Sequence, residues 1–206
     1  MSTSSLVHII DDDDAVRDSL EFLLRAASIE VRTYESATAF LEAVPDGASG
    51  CILTDVRMPG MSGVDLLRQL KACGSTVPVI VMTGHGDIQL AVEAMKIGAS
   101  DFLEKPFDDE VLLASVRSAL GRLEKNAQRD AERADLNRRL ASLSAREREV
   151  LDGLVAGKPN KIIAFDLGIS PRTVEIYRAH VMTKMNAGSL SELVRMALIA
   201  GVLSTD

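Results

Sequence analysis

The chain has few cysteines and no long hydrophobic run. Its 206 residues include two cysteines, Cys51 and Cys73, too few for the disulfide framework of many small secreted domains. No stretch approaches the ~20 consecutive apolar residues of a transmembrane helix. The N-terminal segment has no basic region ahead of its apolar residues, which does not fit a signal peptide. We therefore expect a cytoplasmic protein without membrane attachment, in which the cysteines are small core or helix residues.

The chain also lacks an overall positive charge, since its formal net charge is −7. The negative charge is unevenly distributed along the chain. Residues 1–125 contain 11 Lys and Arg against 20 Asp and Glu, whereas residues 144–206 contain 8 Lys and Arg against 7 Asp and Glu. The length allows two modest hydrophobic cores. An acidic chain is a poor candidate for nucleic-acid binding only if it is one body. The charge pattern instead predicts an acidic N-terminal domain and a near-neutral C-terminal domain that must be judged separately.

The first half of the chain alternates between short apolar runs and amphipathic segments. Strands are predicted at 6–10, 29–34, 51–55, 77–82 and 101–104. Helices are predicted around 16–24 and at 36–43, 63–72, 87–97 and 108–123. Five strand–helix repeats predict an α/β fold, in which a doubly wound parallel sheet carries helices on both faces.

Acidic residues follow two of the predicted strands. Asp11, Asp12, Asp13 and Asp14 come after the first strand, and Asp55 closes the third. The carboxyl ends of parallel strands meet at one edge, where clustered carboxylates would repel one another unless a cation lay between them. This favours Mg²⁺, or Mn²⁺ in its place, held by Asp11, Asp12 and Asp55. The alternative, a solvated acidic first turn favoured by the helix dipole, accounts for Asp13 and Asp14 but not for Asp55.

Asp55 is the candidate nucleophile of this cluster. A carboxylate can attack phosphorus to form an acyl phosphate, and the transfer then needs mainly positioning and charge neutralisation. Lys105, which follows the fifth strand and precedes Pro106, supplies a positive charge, and Thr83, at the end of the fourth, supplies a hydroxyl. Taken singly, Thr83 also fits a turn residue and Lys105 a surface charge. Their shared position at strand ends favours a common phosphoryl site.

Residues 124–142 have the composition of a helix rather than of a flexible linker. The segment has no glycine or proline and is rich in Ala, Arg and Glu. We therefore expect the last helix of the N-terminal domain (residues 1–123) to continue through it, with Gly121 as a place for a bend. Leu136, Leu140 and Leu143 form a short stripe that fits a partner-facing surface but is too short to predict a coiled coil.

The C-terminal domain (residues 143–206) has a pattern of four helices. Ser144 and Glu147 fit a capping box that begins the first helix, which ends at 155. The second spans 160–167, and the third begins at Pro171, directly after the capping residue Ser170. The fourth spans about 191–200. Gly168 lies between the second and third helices, as in a helix-turn-helix.

One face of the third helix has groups that suit the edges of DNA bases. Arginine binds guanine, glutamate accepts from cytosine and small apolar groups contact the thymine methyl, while flanking basic residues suit phosphates. The candidate DNA-contacting residues are Lys161, Arg172, Thr173, Glu175, Ile176, Arg178, Ala179, Thr183 and Lys184. The periodicity alone also fits a generic helical bundle, so a protein-binding output stays open as an alternative.

The first 122 residues resemble the receiver domain of bacterial response regulators. The matching residues are Asp11 and Asp12, Asp55 in Asp-Val-Arg-Met-Pro-Gly-Met-Ser-Gly, Thr83, and Lys105 with Pro106. The resemblance covers residues 5–122 and implies strand order 2-1-3-4-5 and phosphoryl transfer to Asp55 from a sensor histidine kinase. It also implies Mg²⁺ bound by Asp11, Asp12, Asp55 and the backbone carbonyl of Arg57.

The same resemblance implies a conformational switch. Thr83 and Phe102 occupy the positions of the family's paired switch residues, and Val92 and Lys96 lie on the expected face of a phosphorylated dimer. Phe102 lacks the hydroxyl of the tyrosine common at its position, so its switching would rest on burial alone. An aspartyl-phosphate phosphatase would need a general acid two residues after Asp55, where this chain has Arg57; we therefore expect no enzyme beyond the chain's own phosphotransfer and dephosphorylation.

The C-terminal domain resembles LuxR/FixJ-type DNA-binding domains. The matching segments are Leu143-Ser-Ala-Arg-Glu-Arg-Glu-Val-Leu, Asn160-Lys161-Ile-Ile-Ala and Ile169-Ser-Pro-Arg-Thr-Val-Glu. Together the two resemblances imply a transcriptional activator that dimerises on phosphorylation, binds paired sites in promoter DNA and acts with RNA polymerase. Within the family it is most similar to activators of nitrogen fixation under low oxygen, whose partner is an oxygen-sensing histidine kinase. A paralogue that answers another stimulus is the alternative.

Overall fold

The computed structural model describes residues 6–44, 48–84 and 88–202 and gives no side-chain detail at Ile88. The chain folds as two compact units, residues 1–126 and residues 127–206. Within the described residues, no helix is both long enough and apolar enough to cross a membrane.

The first unit contains a five-stranded parallel sheet. Its strands are β1 (Leu6–Ile10), β2 (Glu30–Tyr34), β3 (Cys51–Asp55), β4 (Val79–Thr83) and β5 (Asp101–Glu104). Its helices are α1 (Asp14–Ala26), α2 (Ala37–Ala43), α3 (Gly63–Ala72), α4 (Ile88–Ile97) and the first part of α5 (Asp109–Ala141). The order β2-β1-β3-β4-β5 with every pair parallel confirms the predicted fold class and topology.

Two hydrophobic cores cover the two faces of the sheet. On one face Ile9 packs with α1 and α5, which contribute Leu24 and Leu112 among others. On the other face Ile52 packs with residues of α2, α3 and α4, including Phe40 and Leu66. The strand β1 is buried at all five positions, as expected for a strand covered on both sides. This double cover fixes the strands and therefore the positions of the loops at their carboxyl ends.

Strand β4 differs from its predicted span at both ends. It begins at Val79 rather than at 77, because Pro78 has no N–H for the ladder, although its carbonyl accepts from Ile52 N at 2.9 Å. It extends one residue further than predicted, to Thr83, which pairs with Glu104. The ladder therefore includes Thr83 as the last residue of the strand.

Helix α5 continues without interruption from Asp109 to Ala141, as predicted from its composition. Gly121 does not end it. The predicted partner-facing stripe is not exposed: Leu136 and Leu140 are buried in the core of the second unit, and Leu143 packs against that core. The end of α5 is thus part of the helical unit rather than a free linker.

The second unit adds four helices to the end of α5. They are α6 (Ala145–Val155), α7 (Asn160–Leu167), α8 (Pro171–Met185) and α9 (Leu190–Ile199). Ser144 and Glu147 form the predicted capping box, and Ser170 caps α8 with Pro171 at its first position. Gly168 lies between α7 and α8 with φ +66°, a backbone conformation that favours glycine. Val150, Val174 and Val181 are among the fully buried residues that hold the helices together.

His8 lies inside the first unit, and His85 lies outside the described residues. The Nε2 atom of His8 is 3.0 Å from the Ser49 carbonyl oxygen, and its Nδ1 atom is 3.1 Å from the Tyr34 hydroxyl. Because a carbonyl only accepts, the neutral ring carries its proton on Nε2, and Nδ1 accepts from Tyr34. Burial lowers the pKa of His8, and the charge of Arg32 acts in the same direction, although the Ser49 hydrogen bond opposes them.

We expect the stability of the first unit to fall in mild acid. The folded-state pKa of His8 lies below its usual 6.5, so the unfolded chain binds the extra proton more readily. The stabilisation is therefore complete above pH ~6.5 and is lost as pH falls towards the folded-state pKa. Hydrogen exchange of the β1 amides tests this when wild type and His8→Gln are compared at each pH. A difference that stays constant between pH 8 and pH 5 would contradict the prediction.

Candidate functional site

The carboxyl ends of four strands place the predicted phosphoryl-site residues at one edge of the sheet. Asp11 follows β1, Asp55 ends β3, Thr83 ends β4 and Lys105 follows β5. Since β1 pairs with β3, β3 with β4 and β4 with β5, these four residues lie next to one another in strand order. The Lys105–Pro106 peptide bond is cis.

The Lys105 ammonium joins the two carboxylates. Its Nζ atom is 2.8 Å from Asp11 Oδ2 and 2.6 Å from Asp55 Oδ1. The second oxygen of each carboxylate accepts a backbone N–H, from Asp13 to Asp11 at 3.0 Å and from Arg57 to Asp55 at 2.6 Å. Asp11 is buried and the side chain of Asp55 is 13% exposed, so Asp55 is the one open to a reactant.

The electrostatics of this cluster are set by burial and by the ion pairs. Burial raises the pKa of Asp55; the hydrogen bond from Lys105 is the largest opposing influence. Burial lowers the pKa of the Lys105 ammonium, but its hydrogen bonds to Asp11 and Asp55 outweigh that cost and the pKa is raised. Lys105 is therefore charged at neutral pH and sits where negative charge would develop on a group attacked by Asp55.

The acidic turn has a support that the sequence pattern did not indicate. Arg17, on α1, donates from Nη1 to the Asp11 carbonyl oxygen at 2.6 Å and pairs with Asp14. Asp13 caps α1 by accepting from Ala15 N at 2.8 Å. Asp13 and Asp14 thus have the helix-terminal role that was considered for them, while Asp11 turns inward.

The donor set fits a small divalent cation only in part. Asp11 and Asp55 converge, whereas Asp12 is exposed. Among the described residues no group of three or more His, Cys, Asp or Glu side chains is arranged to hold a metal ion. Mg²⁺ is commonly bound through one or two carboxylates and keeps several waters, and the Asp11–Asp55 pair meets that requirement.

Gly63 is a second contribution that the sequence reasoning missed. A Cβ atom at this first residue of α3 would lie 2.1 Å from the Asp55 carbonyl oxygen. Its N–H donates to the Val56 carbonyl at 3.0 Å. Glycine therefore allows α3 to begin directly against the end of β3, which fixes the backbone under Asp55. The Ser62-Gly63 pair in the sequence indicated a turn but not this contact.

The predicted switch and dimer residues occupy different environments. Thr83 is buried, and its hydroxyl donates to the Leu103 carbonyl oxygen on β5 at 3.4 Å rather than to the carboxylates. Phe102, also on β5, is 45% exposed. Val92 and Lys96 are both exposed on α4, so neither is needed for the core of the first unit.

In the second unit most of the predicted DNA-contacting side chains of α8 are accessible. The exposed residues are Arg172, Glu175, Ile176, Ala179, Thr183 and Lys184, with Thr173 and Arg178 partly exposed; Lys161 is exposed on α7. Ile176 is 52% exposed although it is a large apolar residue. Thr173 has a local role as well, because its hydroxyl lies 2.8 Å from that of the capping residue Ser170.

Lys184, predicted as a phosphate contact, has partners inside the helical unit. Its Nζ atom donates to Glu147 Oε2 at 2.6 Å and to the Ser142 carbonyl oxygen at 3.2 Å. Its ammonium is therefore engaged inside the helical unit, which favours a structural role. The signal available in the sequence was Glu147 itself, since a capping-box glutamate is held near a helix N-terminus and attracts a cation.

We expect the stability of the helical unit to fall in acid because of Glu147. The hydrogen bond from Lys184, followed by that from the Ser144 backbone, lowers the pKa of Glu147 from 4.5 to about 2. Its stabilisation is therefore complete above pH ~4.5 and is lost as pH falls towards about 2. We expect the difference in unfolding free energy between wild type and Glu147→Gln to shrink over this window. Glu149→Gln, on the same helix, is the control; an undiminished Glu147 difference would contradict the expectation.

Comparisons with known proteins agree with both units. Residues 7–117 match the response regulator receiver domain, and residues 141–197 match the bacterial regulatory proteins of the luxR family. The chain is 60% identical to the transcriptional regulatory protein FixJ of Azorhizobium caulinodans, over 100% of this chain and 98% of that protein. It is 54% identical to FixJ of Bradyrhizobium diazoefficiens, over 99% of this chain and 100% of that protein.

Solved structures give the same result. Full-length FixJ from B. japonicum is 54% identical, with a TM-score of 0.62, over 98% of this chain and 100% of that chain. The response regulator StyR is 40% identical, with a TM-score of 0.81, over 94% of this chain and 98% of that chain. The chain therefore belongs to the FixJ-type response regulators, transcription regulators in which a receiver domain is followed by a LuxR-type DNA-binding domain.

Proposed function

We propose that Asp55 accepts a phosphoryl group from a sensor histidine kinase and that this modification controls DNA binding by α8. The observation that carries the proposal is the Lys105 ammonium, placed 2.8 Å from Asp11 and 2.6 Å from Asp55. A buried acid, a more open acid and a shared cation form a site in which a carboxylate can attack phosphorus. The bond formed is between an Asp55 oxygen and phosphorus, and the bond broken joins phosphorus to the donor's histidine nitrogen.

Asp11, Asp12, Asp55 and the Arg57 carbonyl would hold Mg²⁺, or Mn²⁺ in its place. The ion would supply positive charge to the phosphoryl oxygens during transfer. The protein's own contribution is to hold Asp55 in place through the Arg57 N–H and to present the Lys105 ammonium to the same oxygens. The Asp11–Asp55 pair supports this assignment, since two carboxylates suffice for Mg²⁺ when water completes its shell.

Thr83 and Phe102 would carry the change of state to the surface. The Thr83 hydroxyl is bonded to Leu103, and a phosphoryl oxygen on Asp55 would compete with that carbonyl for its proton. Phe102 has no hydroxyl to fix it outward, so inward movement would gain burial of an exposed ring. We propose that Val92 and Lys96 then take part in a homodimer, a role supported by the exposed apolar residues of α4 and β5.

The output would be transcription from promoters that carry paired half-sites. Two copies of α8 reading two half-sites would compensate for the near-neutral charge of the domain. The FixJ names of its relatives suggest nitrogen-fixation genes as targets. We propose low oxygen as the stimulus and a FixL-like haem kinase as the donor. RNA polymerase is then the expected partner at the promoter, and the chain itself is not an enzyme acting on other substrates.

The test of DNA reading is selection from a library of random duplexes. The full chain is treated with acetyl phosphate and Mg²⁺, and bound duplexes are sequenced. Enrichment of a paired site is the expected result. A library that stays random would contradict DNA binding. Capture of a protein partner by the same chain would then support the protein-binding alternative.

Glu175 is expected to contribute to the choice of one base pair. Replacement by Ala should relax preference at that position by ~1–3 kcal/mol and leave binding to unrelated duplexes unchanged. Arg178→Ala should weaken binding to all duplexes alike and reduce its salt dependence, as expected for a phosphate contact. Sequencing the duplexes selected by each variant measures the base preference, and titration at several salt concentrations measures the general affinity. An unchanged preference in Glu175→Ala would remove this residue from the reading face.

A further inference from the structure

Two helix ends meet inside the second unit. Helix α5 ends at Ala141 and helix α8 ends at Met185, and polar contacts connect the two ends directly. The last carbonyl groups of a helix have no partner within it, and the helix dipole gives that end a partial negative charge. Two such ends placed together repel each other unless cations or N–H donors lie between them.

Each helix supplies a cation to the carbonyl end of the other. Arg139, on α5, donates from Nη1 to the Met185 carbonyl oxygen at 2.8 Å. Lys184, on α8, donates to the Ser142 carbonyl oxygen, just after α5, at 3.2 Å. Glu147 on α6 completes the arrangement by pairing with Lys184 at 2.6 Å. We call Arg139, Ser142, Glu147, Lys184 and Met185 the α5–α8 junction.

Apolar packing holds the same segment of α5 in place. Leu136 and Leu140 are buried in the core that also contains Val181 and Met185 of α8. Leu136, Leu140 and Arg139 therefore connect this segment of α5 with the core and with α8, through side-chain burial and the Arg139 hydrogen bond. The last turns of α5 are thus part of the support of α8.

We propose that Arg139 is a positioning residue for DNA recognition, acting by fixing the C-terminal end of α8 against the end of α5. The proposal rests on α8 being the DNA-reading helix. Base readout depends on how the face that includes Arg172 and Glu175 lies in the groove, so the hold on its far end affects specific binding.

Arg138 provides a matched control next to Arg139. Both guanidinium groups pair with Asp135, Arg138 at 3.0 Å and Arg139 at 2.8 Å. Only Arg139 also donates to Met185, and its side chain is 31% exposed against 77% for Arg138. Arg138→Met therefore removes one positive charge and one ion pair with Asp135, and it leaves the hydrogen bond from Arg139 to Met185 in place.

The experiment measures affinity of the full phosphorylated chain for two duplexes of equal length. One carries the site selected by wild type and the other a scrambled sequence, and each is titrated at several salt concentrations. We expect Arg139→Met to weaken specific binding about fivefold, the scale of one partly exposed charge-assisted hydrogen bond. Scrambled-duplex affinity and the salt dependence should stay at wild-type values. Arg138→Met should lie within about twofold of wild type in both titrations.

Arg139→Lys guards against misfolding of the methionine variant, because lysine keeps a donor for Met185. Recovery of most of the specific affinity in Arg139→Lys supports the positioning role. Equal effects of Arg139→Met and Arg138→Met overturn it. An equal loss on both duplexes with a reduced salt dependence also overturns it, since Arg139 would then contact phosphate directly. If the wild-type chain selects no duplex, the DNA-reading function fails and the Arg139 role fails with it. If the wild-type chain selects a duplex and the variants behave alike, only the Arg139 role fails.

Discussion

Replacing Asp55 by asparagine is expected to abolish the response of DNA binding to phosphorylation. Asparagine keeps the size of the side chain but has no carboxylate to form an acyl phosphate. A decisive switch needs the modification to favour the active state by roughly 3–5 kcal/mol, which is about 10²–10⁴-fold in affinity. We expect wild type to show a gain of this order after treatment with acetyl phosphate and Mg²⁺, and Asp55→Asn to show none.

The control for this experiment is Asp65→Asn. Asp65 is an exposed carboxylate of the same unit that pairs with Arg68 at 2.7 Å. It should keep the full response. Mass spectrometry should show one added phosphoryl group on wild type and Asp65→Asn and none on Asp55→Asn. A response that persists in Asp55→Asn would exclude Asp55 as the controlling phosphoacceptor.

Replacing Lys105 by methionine is expected to lower the stability of the first unit and to uncouple its response. Without the ammonium, Asp11 and Asp55 are left close together with no shared cation, and Asp11 is buried. Removing one member of a buried ion pair is costly; with Lys105 partly exposed we expect a loss of about 2 kcal/mol without divalent cation. We also expect the phosphorylation-induced gain in DNA affinity to fall at least ~10-fold, the loss expected for a preorganised cation at a charged centre.

Divalent cation separates the electrostatic explanation from a loss of packing. Mg²⁺ should restore part of the lost unfolding free energy in Lys105→Met, because a cation between the carboxylates relieves their repulsion. Lys125→Met, an exposed change on α5, should alter neither stability nor response. Denaturant unfolding, monitored by hydrogen exchange in the β3 strand, measures the stability. The gain in DNA affinity after treatment with acetyl phosphate measures the response. If Mg²⁺ leaves the deficit unchanged, the loss comes from packing rather than from charge.

The elements of this protein follow from local pattern. Alternating apolar and amphipathic segments indicated five parallel strands with helices on both faces, and the structure confirms that arrangement. The capping box of Ser144 and Glu147 and the cap at Ser170 were visible because caps are local arrangements of three or four residues. The position of Asp11 and Asp55 at the ends of predicted parallel strands was enough to predict that both lie at one edge of the sheet.

Strand-end position predicted a common site for Lys105 and Asp55, but only tertiary structure decided which atoms are bonded. Lys105 is 94 residues from Asp11 and 50 from Asp55, and no local pattern shows that one ammonium joins both. Gly63 was readable as a turn residue, but its contact with the Asp55 carbonyl depends on how α3 approaches β3.

The same holds for the helical unit. Periodicity placed Lys184 next to the DNA-reading face, and packing directed its ammonium to Glu147, 37 residues away. The leucine stripe of α5 fits a partner surface by its spacing alone, but Leu136 and Leu140 are buried in the core of the second unit. Sequence by itself determined the elements and the chemical groups, because these depend on neighbours along the chain. The partners of those groups were decided by folding, because packing brings together residues that are distant in sequence.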